Sequence, residues 1–112
     1  NCLACAAGIA TFEAIEEGHL LQNAVEMGRY AQEKLRSLKE THSVIDHVRG
    51  IGLMIGIELT RPGADIVSKC LERGLRINCT HDTVIRFMPP MIVTKDQIDE
   101  AVGIFESVLS EG

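Results

Sequence analysis

Val48-Arg49-Gly50-Ile51-Gly52-Leu53-Met54-Ile55-Gly56-Ile57-Glu58-Leu59 carries the plainest two-residue periodicity in the chain. Ile51, Leu53, Ile55, Ile57 and Leu59 alternate with Gly52, Met54, Gly56 and Glu58. A period of two places one set on each side of a β-strand, so the apolar set marks a buried face. Val44 to Val48 is shorter and mixed, and pairs naturally with it as a second strand. Gly50 and Gly52 predict a turn or a close backbone approach between the two. The same glycines imitate a dinucleotide-binding loop. Their third member falls one residue late, however, and a strand follows where that loop requires a helix.

Upstream the period changes to that of a helix. Leu20 to Thr41 places Leu21, Ala24, Val25, Gly28, Ala31, Leu35 and Leu38 on one face, with Glu26, Arg29, Glu33, Arg36, Lys39 and Glu40 opposite. Before it, Leu3 to Glu17 is rich in Ala, Leu and Ile and stops at Gly18. Its apolar residues spread round most of the circumference, which predicts burial on most sides by a partner outside so small a domain. Downstream, Arg61-Pro62-Gly63 is a turn, Ala64 to Arg73 a short helix, and Gly74 its C-terminal cap. Leu75 to Cys79 and Thr83 to Met88 read as strands joined by Thr80-His81-Asp82, and Pro89-Pro90 ends the second. Thr94-Lys95-Asp96-Gln97 has the form of a capping box. Ile98, Ala101, Val102, Phe105, Val108 and Leu109 follow at helical spacing. The order predicts an α+β fold: a small, largely antiparallel sheet with helices on one face.

The 112 residues suffice for one domain, and an apolar content of 46% with 24% charged residues is that of a folded globular chain. The formal net charge of −5 argues against a nucleic-acid or acidic-membrane surface, which needs a basic patch. The first apolar stretch lacks a basic flank and contains Glu13, so no signal peptide is expected. No run is long and apolar enough for a membrane span. Cys2, Cys5, Cys70 and Cys79 make no disulfide framework, and reduced thiols of a cytoplasmic protein are expected. Cys2 and Cys5 spell C-x-x-C inside a helical run without a preceding strand, and read as small buried residues rather than a redox pair. His19, His42, His47 and His81 lie near turns or element ends at no metal-binding spacing, so no metal is expected. Glu13, Glu16 and Glu17 read as a solvated patch.

Chemistry is concentrated in Thr83-Val84-Ile85-Arg86-Phe87-Met88. Thr83, Ile85 and Phe87 point one way, and Val84, Arg86 and Met88 the other. Arg86 is a charge set in an apolar strand and must be paired or face a cleft. A guanidinium offers two parallel hydrogen bonds that match a carboxylate. Three readings stay open on the residues alone: a substrate-carboxylate clamp, a partner for Glu58, or an arginine on an exposed sheet face.

Several motifs together resemble one family. Asn1-Cys2-Leu3-Ala4-Cys5-Ala6-Ala7 is similar to the N-P-L-A-C-A-A segment that opens the small domain of class III aminotransferases. Val48 to Leu59 resembles their V-R-G-x-G-L-M-x-G-I-E-L strand pair, and Gly74 to Thr80 the strand that follows the next helix. Val84 to Met91 resembles I-R-F-x-P-P-L, and Thr94 to Ala101 the start of the closing helix. The similarity spans essentially the whole chain in order, with R-P-G-A-D-I-V and I-N-C-T nearest to the acetylornithine branch. Cys2 departs from the pattern where the family has Pro, which weakens the start of the first helix without touching the chemistry.

The resemblance implies a fold type I, dimeric enzyme that uses pyridoxal phosphate (PLP). Such an enzyme moves an amino group from N-acetylornithine or ornithine to 2-oxoglutarate in arginine biosynthesis. It implies that residues 1–112 form a single C-terminal small domain whose large PLP-binding domain is absent. It also implies that Arg86 binds a substrate carboxylate. The Schiff-base lysine and phosphate-binding residues are expected outside this chain, leaving no catalytic or cofactor-binding residue within it. Lys34, Lys39, Lys69 and Lys95 all sit on or at the start of helices, without the setting that lowers an amine pKa. The chain alone is therefore expected to be inactive. A 4-aminobutyrate donor, or a non-catalytic binding module on the same scaffold, are the alternatives.

Overall fold

The alternating apolar runs close into one antiparallel sheet. The computed structural model describes residues 1–112. Its elements are α1 (Cys2–Glu17), α2 (Leu20–Leu38), β1 (Ile45–Ile51), β2 (Met54–Leu59), α3 (Ala64–Glu72), β3 (Asn78–Thr80), β4 (Val84–Phe87) and α4 (Lys95–Leu109). The strand order is β1-β2-β4-β3, with every neighbouring pair antiparallel. Ile55, Ile57, Ile85 and Phe87 point into a core completed by Leu35 of α2, Ile66 and Cys70 of α3, and Ile98 and Phe105 of α4. Helices thus cover one sheet face. The fold is α+β, as the order of elements predicts.

The turn between β1 and β2 falls later than the glycines suggest. Gly50 and Ile51 belong to β1, and the loop is Gly52-Leu53. Gly52 has φ +52°, which suits glycine at the first central position of a two-residue hairpin loop. The turn therefore interrupts the alternating run. Leu53, Ile55, Ile57 and Leu59 are buried, but Ile51 lies on the opposite strand and is 80% exposed. The close backbone approach is real, but its partner is α2. A Cβ on Gly28 would lie 2.2 Å from the Gly52 carbonyl oxygen, so only hydrogen fits there.

Local chemistry sets the helix ends. Gly74, at φ +86°, follows α3, and the amides of Gly74 and Leu75 donate to the carbonyls of Leu71 and Cys70. This is a Schellman closure. At α4 the Thr94 hydroxyl accepts from the Gln97 amide at 3.3 Å, and the Gln97 side chain accepts from the Thr94 amide at 3.0 Å, completing the capping box. Strand β3 is shorter than Leu75 to Cys79, beginning only at Asn78. Opposite its missing first residues the chain runs into Met88-Pro89-Pro90, and proline has no N–H to extend a ladder.

Helix α1 differs most from a packed helix. Asn1 caps it in place of the proline effect, its Oδ1 accepting from the Ala4 amide at 3.1 Å. The helix packs on α2, yet none of its residues is buried. Leu3 is 79% exposed and Phe12 72%. Cys2 and Cys5 are exposed too, which corrects the reading of them as buried residues. They lie on α1, which α2 touches without burying any of its residues.

Candidate functional site: the open sheet face around Arg86

The site lies on the sheet face that the helices leave bare. Ile85 and Phe87 anchor β4 in the core, so the pleat turns Arg86 to the other side. Register then aligns one residue from each strand: Arg49 opposite Gly56, Gly56 opposite Arg86, and Arg86 opposite Asn78. Gly56 contributes no side chain, which opens a trough between the two arginines.

Arg49 and Arg86 differ in their partners. Arg49 Nη1 donates to Glu58 Oε2 at 2.7 Å. Thr83 Oγ1 also donates to Glu58, at 3.2 Å. The Arg49 contact, assisted by Thr83, holds the Glu58 carboxyl below its ordinary range. Arg86 is therefore not the partner of Glu58. It makes no ion pair in the chain, and its one side-chain hydrogen bond goes from Nη2 to the Met88 sulfur at 3.1 Å. A thioether is a weak acceptor, so the guanidinium keeps its capacity for a carboxylate.

Two cavities meet at Arg86. One, of about 350 Å³, is lined by Arg76, Ile77, Asn78, Arg86 and Met88. The other, of about 450 Å³, runs over Gly56 toward Ile51, Met54 and Arg49. Both fall in the size range of small-molecule sites. Neither is lined by an aspartate, a glutamate or a lysine. Sequence reasoning finds Arg86 but misses Arg76 and Asn78. The signal was the period of two in Arg76-Ile77-Asn78, which becomes useful only once the pairing of Asn78 with Arg86 is known.

The other titratable groups lie elsewhere. Lys34 pairs with Asp99 at 2.6 Å, and that contact raises the Lys34 pKa, opposite to what a nucleophilic amine requires. Lys95 lies over the Tyr30 ring, Lys39 donates to the Asp46 carbonyl, and Lys69 approaches Glu111. His19 and His81 sit in left-handed backbone positions, while His42 is largely covered and lies 4.0 Å from Glu106. No three His, Cys, Asp or Glu side chains are grouped to hold a metal ion. No helix is long and apolar enough to cross a membrane.

Known proteins share this fold. The chain is 50% identical to an acetylornithine aminotransferase of Methanocaldococcus jannaschii, over 99% of its own length and 28% of that protein's. It is 42% identical to an ornithine aminotransferase of Bacillus subtilis, over 97% of its length and 27% of that protein's. The chain thus spans less than a third of these relatives. Its fold superposes on an acetylornithine aminotransferase from Elizabethkingia anophelis with a TM-score of 0.93 at 28% identity, covering 98% of this chain and 30% of that one. An ornithine δ-aminotransferase of Plasmodium falciparum gives a TM-score of 0.93 at 30% identity, covering 99% and 30%. The sequence model for Aminotransferase class-III matches residues 1–109, nearly the whole chain, and the chain belongs to that family.

Proposed function

We propose that residues 1–112 are the C-terminal small domain of a PLP-dependent enzyme that moves an amino group from N-acetylornithine, or ornithine, to 2-oxoglutarate in arginine biosynthesis. In this reading Arg86 holds a substrate carboxylate. The observation that carries it is the unpaired Arg86 guanidinium, projecting from the bare sheet face into cavities of small-molecule size. The relatives named for acetylornithine and ornithine transfer support the choice of donor.

When bound, PLP supplies the electron sink of amino-group transfer. The residues here do not fit it. No lysine reaches the cavities, and no acid there could face a pyridine nitrogen. The cofactor is therefore assigned to the large domain of the parent protein, and the chain alone is inactive. The parent acts as a cytoplasmic homodimer. Within the parent, this chain binds and orients the acid: the β4 pleat fixes Arg86, and its charge-assisted fork sets the position of the ligand carboxylate.

The test uses the full-length protein loaded with PLP. N-acetylornithine, ornithine and 4-aminobutyrate are added singly while the visible cofactor absorption is followed. N-acetylornithine should change it fastest, and 2-oxoglutarate should restore it. A faster response to 4-aminobutyrate would replace the donor assignment. A protein that takes up no PLP would favour a binding module over an enzyme. Arg86→Ala should lower kcat/KM by about 10- to 150-fold, corresponding to roughly 1.5–3 kcal/mol for a hydrogen bond to a charged group. An unchanged specificity constant for both substrates would remove Arg86 from the site.

A further inference from the structure

Met88 gives Arg86 its one side-chain hydrogen bond, and it stands where the sheet stops holding the backbone. Strand β4 ends at Phe87, and Pro89 and Pro90 have no N–H with which to extend the ladder. Between Met88 and Val93 the only backbone–backbone hydrogen bond runs from the Val93 amide to the Pro90 carbonyl, at 3.0 Å. The segment is held from α2 instead. Asn23 Nδ2 donates to the Met91 carbonyl at 2.8 Å and to the Val93 carbonyl at 3.1 Å. Both amide hydrogens are thereby used. The two acceptors also fix which way the amide faces, because a flipped amide would set its oxygen against two carbonyl oxygens. Asparagine suits helix caps better than the turns beyond them, where its side chain competes for backbone groups. Helix propensity therefore does not account for Asn23 in α2, whereas these two contacts do.

From Met91 the constraint runs back along a stiff path. The two residues between Met91 and Met88 are prolines, whose rings fix φ. Holding Met91 therefore limits where Met88 can lie as the chain leaves β4. Met88 lines both cavities that meet at Arg86, and its sulfur accepts from Arg86 Nη2 at 3.1 Å. We propose that Asn23 is a positioning residue for Arg86: by clamping the carbonyls of Met91 and Val93 it sets Met88, and Met88 holds the guanidinium ready for a carboxylate. The proposal rests on the reading of Arg86 as a carboxylate clamp. A loose arginine has more rotamers to give up on binding, so releasing the segment weakens the acid without touching the chemistry.

The test uses the full-length, PLP-loaded protein and its Asn23→Leu, Asn23→Asp, Met88→Leu and Arg86→Leu variants, with Asn23→Leu and Met88→Leu also combined. Leucine and aspartate both share the branching of asparagine at Cγ and lack its two donors. KM and kcat are measured for N-acetylornithine and 2-oxoglutarate, with the urea midpoint alongside. Asn23→Leu and Asn23→Asp should each raise KM by about 2- to 10-fold for the substrates that Arg86→Leu weakens, the scale of ordering one flexible side chain, with kcat within about twofold. Met88→Leu should raise KM over the same range. The combined variant should match the worse single one rather than multiply the two effects, because both act along one path. Should Asn23→Leu fail to fold, Asn23→Asp, which keeps the shape, carries the test. A lower urea midpoint with KM unchanged would make Asn23 a support of the fold only and overturn the proposal. An unchanged KM in Met88→Leu, or a multiplicative combined variant, overturns it too. If Arg86→Leu leaves KM unchanged for both substrates, the clamp reading itself fails and the role of Asn23 falls with it. If Arg86→Leu raises KM and neither Asn23 variant does, only the positioning role fails.

Discussion

Asp99 fastens two helices through a single carboxylate. Tyr30 of α2 donates its hydroxyl to Asp99 Oδ1 of α4 at 2.5 Å, and Lys34 reaches the same oxygen at 2.6 Å. The Lys34 contact, followed by that of Tyr30, holds the Asp99 carboxyl below its ordinary range. A carboxyl whose pKa is lowered by folding contributes stability above its unfolded value, about 3.9, and that contribution is lost as pH falls through the lower folded value. Asp99→Asn should therefore lower the urea midpoint modestly at pH 7 and flatten its decline below about pH 4. The acid decline should not vanish, because Arg49–Glu58 and Arg61–Asp65 titrate in the same direction. An acid slope identical to that of the unaltered chain would show that Asp99 contributes nothing. At this scale Arg86 was legible because strand alternation needs only neighbours in sequence. Arg76 was not, since its place beside Arg86 depends on a hairpin register set by the His81 and Asp82 turn, both at positive φ.

Between elements, glycines fix how closely the layers approach. Gly28 lies where α2 crosses the β1–β2 turn, and its missing side chain leaves just enough room for the Gly52 carbonyl. Backbone cannot rotate away as a side chain can, so Gly28→Ala must push the hairpin from the helix, at a cost of about 1–3 kcal/mol. Gly103 in the middle of α4 has no atom within 4 Å of an added Cβ. Alanine there limits only the unfolded chain and should stabilise by roughly 0.5–1 kcal/mol. Urea midpoints moving in opposite directions would confirm both assignments, whereas a neutral Gly28→Ala would mean a looser approach. The helices and the buried sides of β2, β4 and α4 were legible because caps and periods are local. The turn at Gly52-Leu53 was not, because three glycines in one run fit several turns and the choice is made by the contact with α2. The same limit applies to Leu21 and Val25. They continue the apolar run of α2 in sequence but remain exposed, while Ala24 and Met27 beside them pack against the core, so they lie on a different side of the helix from the packed residues.

At the scale of the whole molecule, exposed apolar side chains other than Leu71 and Ile92 gather in two places. Leu3, Ile9 and Phe12 lie bare on α1, with Leu21 and Val25 exposed on the adjoining half of α2. Ile51, Met54 and Met88 lie bare on the open sheet face. Covering one large apolar side chain is worth about 1.5–3 kcal/mol, so several together outweigh the weak repulsion of a net charge of −5 screened by salt. The 112-residue chain should therefore self-associate on size-exclusion chromatography, or bind a hydrophobic dye, at concentrations where a domain with no such patch stays monomeric. Phe12→Glu separates surface from core. Phe12 belongs to no buried cluster, so the substitution should reduce association and dye binding while leaving the urea midpoint within about 0.5 kcal/mol of the unaltered chain. A clean, dye-silent monomer before any substitution would mean that α1 needs no cover and would count against its lying beneath a further domain. A midpoint that drops with Phe12→Glu would mean instead that α1 contributes to the stability of the fold itself.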